Sequence, residues 1–386
     1  MPILMLIVVF FVLFLSHWLI YDFFVRSFSV KKKLAMKLII ASLGVSFIAF
    51  AVLVRLFENI FTKALYFISG IWIGILPALI ILIALAWLII VIAKLFKRKI
   101  NIKYGGISVI VIIVIYIVVG VWNVYHPVVV KTQVEIKNLP ENWQDKKMVQ
   151  ISDLHLGTIL GEGFLKDVVE KINLQNPDLV VITGDLFDGM DGLSVDFMSQ
   201  IDEIISKYGV YYISGNHETY IGKDHALSLL QNTKVNVIDD KIVNLDGLQL
   251  IGAGYTVLDE QKDIKQTILD NEDFNPELPT VLLYHTPTRI DLLEGSNHTT
   301  MYWSPESNFD AAKEIGIDLQ LSGHTHRGQI FPFQFFTAII YDGYDHGLHS
   351  EEDFSIYINS ATGVWGPTLR TAGKSEITVL ELRNKE

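Results

Sequence analysis

The stretch "SGHTHRGQ", residues 322–329, sets His324 and His326 one residue apart between two glycines. The preceding "DLQL" is an apolar run that reads as a strand. The histidines therefore follow a strand end, where residues i and i+2 point the same way. Two imidazoles aimed at one spot suit a metal ion better than a packed core. Four more short motifs have the same character. "SDLHLG" supplies Asp153 and His155, "GDLFDG" supplies Asp185 and Asp188, "GNHE" supplies Asn216 and His217, and "YHTP" supplies His285. Any one of them is a weak signal, but together they offer carboxylates, an amide and imidazoles. The chain has no cysteine, so thiolate sites and disulfides are excluded. The remaining donors suit divalent ions such as Mn, Fe and Zn. A carboxylate has two oxygens and can bridge two such ions about 3.5–4 Å apart. A pair of that kind clamps a phosphoryl group and lowers the pKa of a bridging water, so that a hydroxide can attack phosphorus in line.

The motifs need elements that bring them together. "MVQISD" (148–153), "DLVVITGD" (178–185), "VYYISGNHE" (210–218), "TVLLYHTP" (280–287) and "IDLQLSGHTH" (317–326) read as short apolar strands with polar ends. "FLKDVVEKINLQ" (164–175) and "FMSQIDEIISKYG" (197–209) have helical periodicity. Apolar strands alternating with helices predict a buried sheet in an α/β domain. Ligands in such sheets gather beyond the carboxyl ends of the strands, so one rim collects all five motifs. The tail, "FSIYINSATGVWG" and "SEITVLELR", alternates without intervening helices and predicts a second sheet packed on the first. Residues 126–147 form a linker that starts a strand near Val128.

The front of the chain is different. Of 386 residues, the first 125 hold 12 Lys+Arg and only Asp22 and Glu58 as acids, a net of +10, whereas residues 126–386 carry −21. Four apolar stretches, about 2–21, 38–54, 64–93 and 107–122, approach or exceed the roughly 20 residues needed to cross a bilayer. Pro77 lies inside the third, which membrane helices tolerate. The first lacks a basic n-region and a small-residue cleavage motif and reads as a retained helix. The organisation is a four-helix transmembrane anchor over 1–125, the linker, and an α/β domain over 148–386. Arg26, Lys31, Lys32, Lys33 and Lys37 collect around the first loop, and Lys94, Lys97, Arg98, Lys99 and Lys103 around the third. Arg55 and Lys63 flank the second, and Lys131 and Lys137 follow the fourth helix. Basic residues collect on the cytoplasmic side, so the acidic domain is expected outside the cytoplasm. Its acidity argues against nucleic-acid binding.

The order and spacing of the motifs resemble the calcineurin-like metallophosphoesterase family over about residues 148–385. The resemblance is nearest to a membrane-anchored bacterial branch, with "SDLHLG", "GNHE", "SGHTHRGQIFPF" and "SEITVLEL". It implies a double β-sandwich flanked by helices. It implies that Asp153, His155 and His326 hold one metal, that Asn216, His285 and His324 hold the other, and that Asp185 bridges. His217 would face the phosphate or the leaving oxygen, oriented by Asp188. Gly189 stands where protein Ser/Thr phosphatases have an Arg, which argues against phosphoprotein substrates. Arg327 stands where many relatives have Gly; its guanidinium could grip a phosphate or simply point to solvent. Residues 294–308 look like an insertion whose Met301, Tyr302 and Trp303 could cover the site or touch the bilayer, with a plain surface loop as the commoner case.

The expectation is a multi-pass membrane protein whose extracytoplasmic domain hydrolyses a phosphomonoester or phosphodiester with two divalent ions, by attack of a metal-bridging hydroxide. The substrate would be a lipid headgroup, an envelope polymer or a nucleotide-sugar product. One alternative is a cytoplasmic-facing pyrophosphatase resembling the UDP-2,3-diacylglucosamine hydrolases, which needs the reverse topology. Another is a non-catalytic, metal-containing membrane protein that binds a partner, against which the full ligand set with His217 and Asp188 argues.

Overall fold

The computed structural model describes residues 2–190, 195–255, 262–292 and 305–385. Most of the 294–308 stretch, with Met301, Tyr302 and Trp303, lies outside the described residues. The chain divides into two compact units. The first is Met1–Trp122 together with two short stretches of the C-terminal half, Ile330–Pro332 and Gly366–Thr371. The second is the remainder.

The first unit holds four helices long and apolar enough to cross a membrane. They are α1 (Pro2–Phe28), α2 (Lys33–Leu56), α3 (Ile60–Leu95) and α4 (Ile102–Tyr125), the last of which ends in the second unit. Each runs beyond its apolar stretch into flanking polar residues, because Lys and Arg are good helix formers. The α3 N-terminus has a full capping box, with the Asn59 side chain accepting from Phe61 and Thr62 N–H and Thr62 Oγ1 accepting from Asn59 N–H. With 36 residues, α3 is roughly 54 Å long at the α-helical rise, well beyond an apolar layer of about 30 Å. His17 ties α1 to α3. Its Nδ1 donates to the Leu13 carbonyl (2.7 Å) and its Nε2 accepts from Trp72 Nε1 (3.1 Å). Both ring nitrogens are thus satisfied in an apolar surrounding, where an unpaired polar group is costly. Leu369, from the Gly366–Thr371 stretch, is fully buried among these helices, and Thr368 Oγ1 donates to the Phe67 carbonyl at 2.9 Å. A Cβ on Gly70 would stand 2.9 Å from Thr368 Cγ2, so α3 receives this stretch at a position without a side chain.

The second unit contains two six-stranded sheets. The first has the order β1 (Val128–Ile136), β12 (Glu376–Asn384), β2 (Lys147–Ile151), β3 (Leu179–Thr183), β4 (Val210–Ile213) and β5 (Val235–Val237). The second has the order β10 (Gly347–Glu351), β11 (Phe354–Ile358), β9 (Leu319–Ser322), β8 (Thr280–Tyr284), β7 (Leu248–Ala253) and β6 (Lys241–Leu245). Strands β2 to β5 are mutually parallel, as are β11, β9, β8 and β7. The tail does not form a sheet by itself. β11 lies in the second sheet and β12 crosses to the first, parallel to β1 and antiparallel to β2.

Period-two alternation explains why the strands read as continuous apolar runs. Leu179 and Val181 face a core shared with Val281, Leu283, Leu319 and Leu321 of the other sheet, while Val180 and Ile182 face helix α5 (Glu162–Asn173). Leu282 and Tyr284 enter a third cluster on the far side of the second sheet. Both faces of both sheets are therefore covered, which makes a double sandwich with helices outside. The helix expected over 197–209 does not form as one piece. A short helix, Val195–Met198, passes into a 3-10 turn at Ser199–Glu203. There Asn173 takes over the backbone, donating to the Glu203 carbonyl and accepting from Ile205 N–H, both at 2.8 Å. Such side-chain bonds compete directly with helical ones.

Candidate metal centre

The five motifs converge from both sheets, since β2, β3 and β4 belong to one and β8 and β9 to the other. Gln150 ties the sheets beside this point, donating to Thr183 Oγ1 (3.0 Å) and to the Ser322 carbonyl (2.9 Å). Asp153 and His155 follow β2, Asp185 and Asp188 follow β3, Asn216 and His217 follow β4, His285 follows β8, and His324 and His326 follow β9. Asp153, His155, Asp185, Asn216, His217, His285 and His326 are buried.

The loops need special backbone to do this. Asp153, His155, Asp185, His324 and His326 all have φ between 48° and 70°. Asp and His tolerate this left-handed region better than most side chains, but each such residue costs about 1–3 kcal/mol unless its surroundings hold it. Close approach fixes the neighbouring glycines. A Cβ on Gly215 would stand 2.2 Å from Asp185 Oδ1, and one on Gly323 would stand 2.2 Å from Asp153 Oδ2.

Among the described residues, three groups of side chains could each hold a cation, namely Asp153 with His155 and His326, His155 with Asp185 and His217, and Asp185 with His285 and His324. In the first, His326 Nε2 lies 3.3 Å from Asp153 Oδ1 and 3.0 Å from His155 Nε2. In the third, His285 Nε2 lies 3.1 Å from Asn216 Oδ1, and His324 Nδ1 lies 2.9 Å from the same oxygen. Asp185 Oδ2 stands between the outer two groups, 3.8 Å from His155 Nε2 and 3.3 Å from His285 Nε2. Its other oxygen accepts from the His217 N–H at 2.8 Å, which fixes the plane of the carboxylate.

The supporting bonds aim lone pairs inward. His285 Nδ1 donates to the Thr183 carbonyl (2.8 Å), and Asn216 Nδ2 donates to Tyr220 Oη (3.0 Å), so Nε2 and Oδ1 face the centre. Carboxylates buried among imidazole and amide acceptors call for positive charge. The titration of the site shows the same demand. Burial alone would lower His285, but Asp185 and then Asp153 push it up to about 10. Its neighbour His324 is driven down to about 3 by burial and by His285. Burial works against ionised Asp153, yet His326 holds it well below the usual carboxylate range. The donor chemistry thus fits divalent cations, which would supply that charge and leave every imidazole neutral.

His217 and Asp188 are in contact, but not through the carboxylate. His217 Nδ1 donates to the Asp188 backbone carbonyl at 2.9 Å, while the Asp188 carboxylate accepts from Thr158 N–H (2.9 Å) and Met190 N–H (2.7 Å). The His217 ring meets that of His155 edge-on at 4.4 Å between centroids. Two contributors escape a reading by ligand type. Glu218 is buried and accepts from Gly215 N–H (2.6 Å), Asp185 N–H (3.1 Å) and Phe187 N–H (3.2 Å), joining the loops after β3 and β4. Burial and the Asp185 charge push it up to about 7 against the Gly215 and Phe187 donors. Its signal is present in "GNHE", a Glu three residues after a helix N-cap. Trp365, half exposed, sets its ring 5.4 Å from that of His217. Arg327, the possible phosphate grip, lays its Cδ 3.2 Å from the point where Gly373 would carry a Cβ.

Residues 146–328 match the family described as calcineurin-like phosphoesterase. The chain is similar to an uncharacterized metallophosphoesterase of Campylobacter jejuni, with 35% identity over 67% of this chain and 64% of that one. It is similar to an uncharacterized metallophosphoesterase of Helicobacter pylori, with 32% identity over 63% of this chain and 61% of that one. A Bos taurus transmembrane protein with metallophosphoesterase domain is 29% identical over 69% of this chain and 60% of its own length. The chain spans less than two thirds of each of these relatives.

Proposed function

We propose that the chain, whose residues 146–328 match the calcineurin-like phosphoesterase family, is a membrane-anchored, two-metal hydrolase of a phosphomonoester or phosphodiester. The observation that carries this reading is the shared carboxylate, one Asp185 oxygen between His155 of one ligand group and His285 of the other. Asp153, His155 and His326 would hold one ion, Asn216, His285 and His324 the other, and Asp185 both. When bound, such a pair activates a water and neutralises phosphoryl charge. The protein supplies the rest. Gly215 and Gly323 let the loops close on the carboxylates, and Glu218 locks two of those loops together. His217, held at Nδ1 by the Asp188 carbonyl, keeps Nε2 for the phosphate or the leaving oxygen. The basic loops support an anchor that leaves the domain outside the cytoplasm, with a cell-envelope phosphoester as substrate.

The test uses the purified full chain loaded with Mn, Fe or Zn and offered phosphomonoesters, phosphodiesters and nucleotide sugars. Turnover of at least one class is expected, and elemental analysis of Asp185→Asn should show clear metal loss with the fold intact. Full retention of both ions by a folded Asp185→Asn removes Asp185 as the bridge. A fully loaded protein inert on the whole panel removes the hydrolase reading and leaves a binding protein.

A further inference from the structure

The helix Phe333–Ile340, sequence FQFFTAII, carries no charge and buries none of its residues. Helix α5 does the opposite, with Phe164, Leu165, Val168, Val169 and Ile172 all buried. In Phe333–Ile340 the half-buried positions are Gln334, Thr337 and Ala338, an i, i+3, i+4 stripe. Phe333, Phe335, Phe336, Ile339 and Ile340 face outward and are 46–74% exposed. The side toward the protein is therefore the more polar one, the reverse of a helix made for water.

This helix is fixed beside the site. A Cβ on Gly328, two residues after His326, would stand 2.5 Å from Gln334 N and 2.6 Å from Phe333 C, so the helix start rests on that loop. Just past the helix end, the Tyr341 ring lies 6.4 Å from that of His324. Trp365, at the His217 side, adds a further exposed apolar surface. Chain continuity ties this surface to the membrane-length helices. Ile330–Pro332, which runs directly into the helix, and Gly366–Thr371, which directly follows Trp365, both belong to the unit of membrane-length helices.

We propose that Phe333–Ile340 lies in the apolar layer of the bilayer beside the metal ligands, and that the substrate is an amphiphilic phosphoester, a lipid taken from the membrane. The substrate part of this inference rests on the phosphoesterase reading; the seating of the helix does not. An apolar helix beside the site gives acyl chains an apolar path to it, while the buried acceptors with their cations take the phosphate.

The chain has no cysteine, so Ile339→Cys accepts a single nitrobenzoxadiazole label. In full chain reconstituted into phosphatidylethanolamine and phosphatidylglycerol vesicles, this label should be quenched by acyl-chain doxyl lipids and shielded from aqueous iodide. A label at exposed Ser350→Cys should remain open to iodide. Iodide access at position 339, or protection there from both quenchers as by a second protein copy, overturns the seating. For the substrate, Mn-loaded protein is offered bis(4-nitrophenyl) phosphate and, in vesicles, phosphatidic acid and phosphatidylglycerol. The lipid-to-soluble turnover ratio should fall at least tenfold in Phe335→Glu/Phe336→Glu/Ile339→Glu. An unchanged ratio, or a wild type that cleaves the nitrophenyl ester and neither lipid, overturns the lipid inference and leaves the phosphoesterase reading standing. A wild type inert on all three overturns the phosphoesterase reading, while the label still reports where the helix sits.

Discussion

His217 shows how little of a residue's role is in its type. Beside Asn216, its backbone N–H serves Asp185, its Nδ1 serves the Asp188 carbonyl, and its ring packs on His155 and Trp365. On the proposed reading, Nε2 is the nitrogen left for a substrate. His217→Ala should therefore keep its metals, because the backbone bond to Asp185 survives, and should lose about 10²–10⁴ in turnover, the usual range for a general acid. The loss should be smaller on a nitrophenyl ester, whose leaving group needs no proton. Equal losses on good and poor leaving groups would assign His217 to charge stabilisation instead, and an unchanged rate would give it neither role. The residues that the structure brings together were legible as Asp, Asn and His at the ends of apolar runs. The left-handed φ of Asp153, His155, Asp185, His324 and His326 was not, because it is set by tertiary contacts and not by local propensity. Trp365 was equally hidden, since it meets His217 from a distant loop after β11. Asp188 does meet the His217 ring, but through its backbone carbonyl, while its carboxylate accepts from Thr158 and Met190 N–H, a division of labour that residue type does not disclose.

At the scale of elements, strand positions were readable because both faces of each central strand are apolar, and the division into sheets was not. Nothing in "SEITVLELR" says that it leaves β11 and pairs with β1 and β2; that choice lies in which edges remain open. The 197–209 helix failed for a related reason, since Asn173 from α5 captures the backbone there. One strand carries a testable electrostatic cost. Asp318, just before β9, accepts from Thr280 N–H at 2.7 Å. Burial pushes it up to about 6 against that bond, and Asp353 adds to the rise while Lys137 opposes it. A carboxyl raised in the fold favours the folded state while protonated. Its contribution is complete below the unfolded value near 4 and is lost as pH rises through about 6. Asp318→Asn is neutral throughout and keeps an acceptor for Thr280. It should match the wild type in thermal stability near pH 4 and exceed it at pH 7.5 by about 1 kcal/mol, a figure already discounted for partial solvent screening. Melting curves at the two pH values decide this, and an equal offset at both would show that the carboxyl does not titrate with folding.

At the scale of the whole molecule, the +10 front and −21 back were plain in the composition. The return of Ile330–Pro332 and Gly366–Thr371 to the helical unit was not, because stretches so short, with no long apolar run, carry no membrane signature of their own. Sidedness decides which substrate pool the domain meets. Ten basic residues flank the α1–α2 and α3–α4 turns, against Arg55 and Lys63 flanking the α2–α3 turn and Lys131 and Lys137 after α4. Short-loop Lys and Arg stay in the cytoplasm, so α4 should run outward and deliver the acidic domain away from the anionic inner leaflet. Protease added to intact spheroplasts should then trim the C-terminal domain while a cytoplasmic control protein survives. Cleavage only after lysis would reverse the topology, and the substrate would then be sought among phosphoesters and pyrophosphates of the cytoplasmic leaflet.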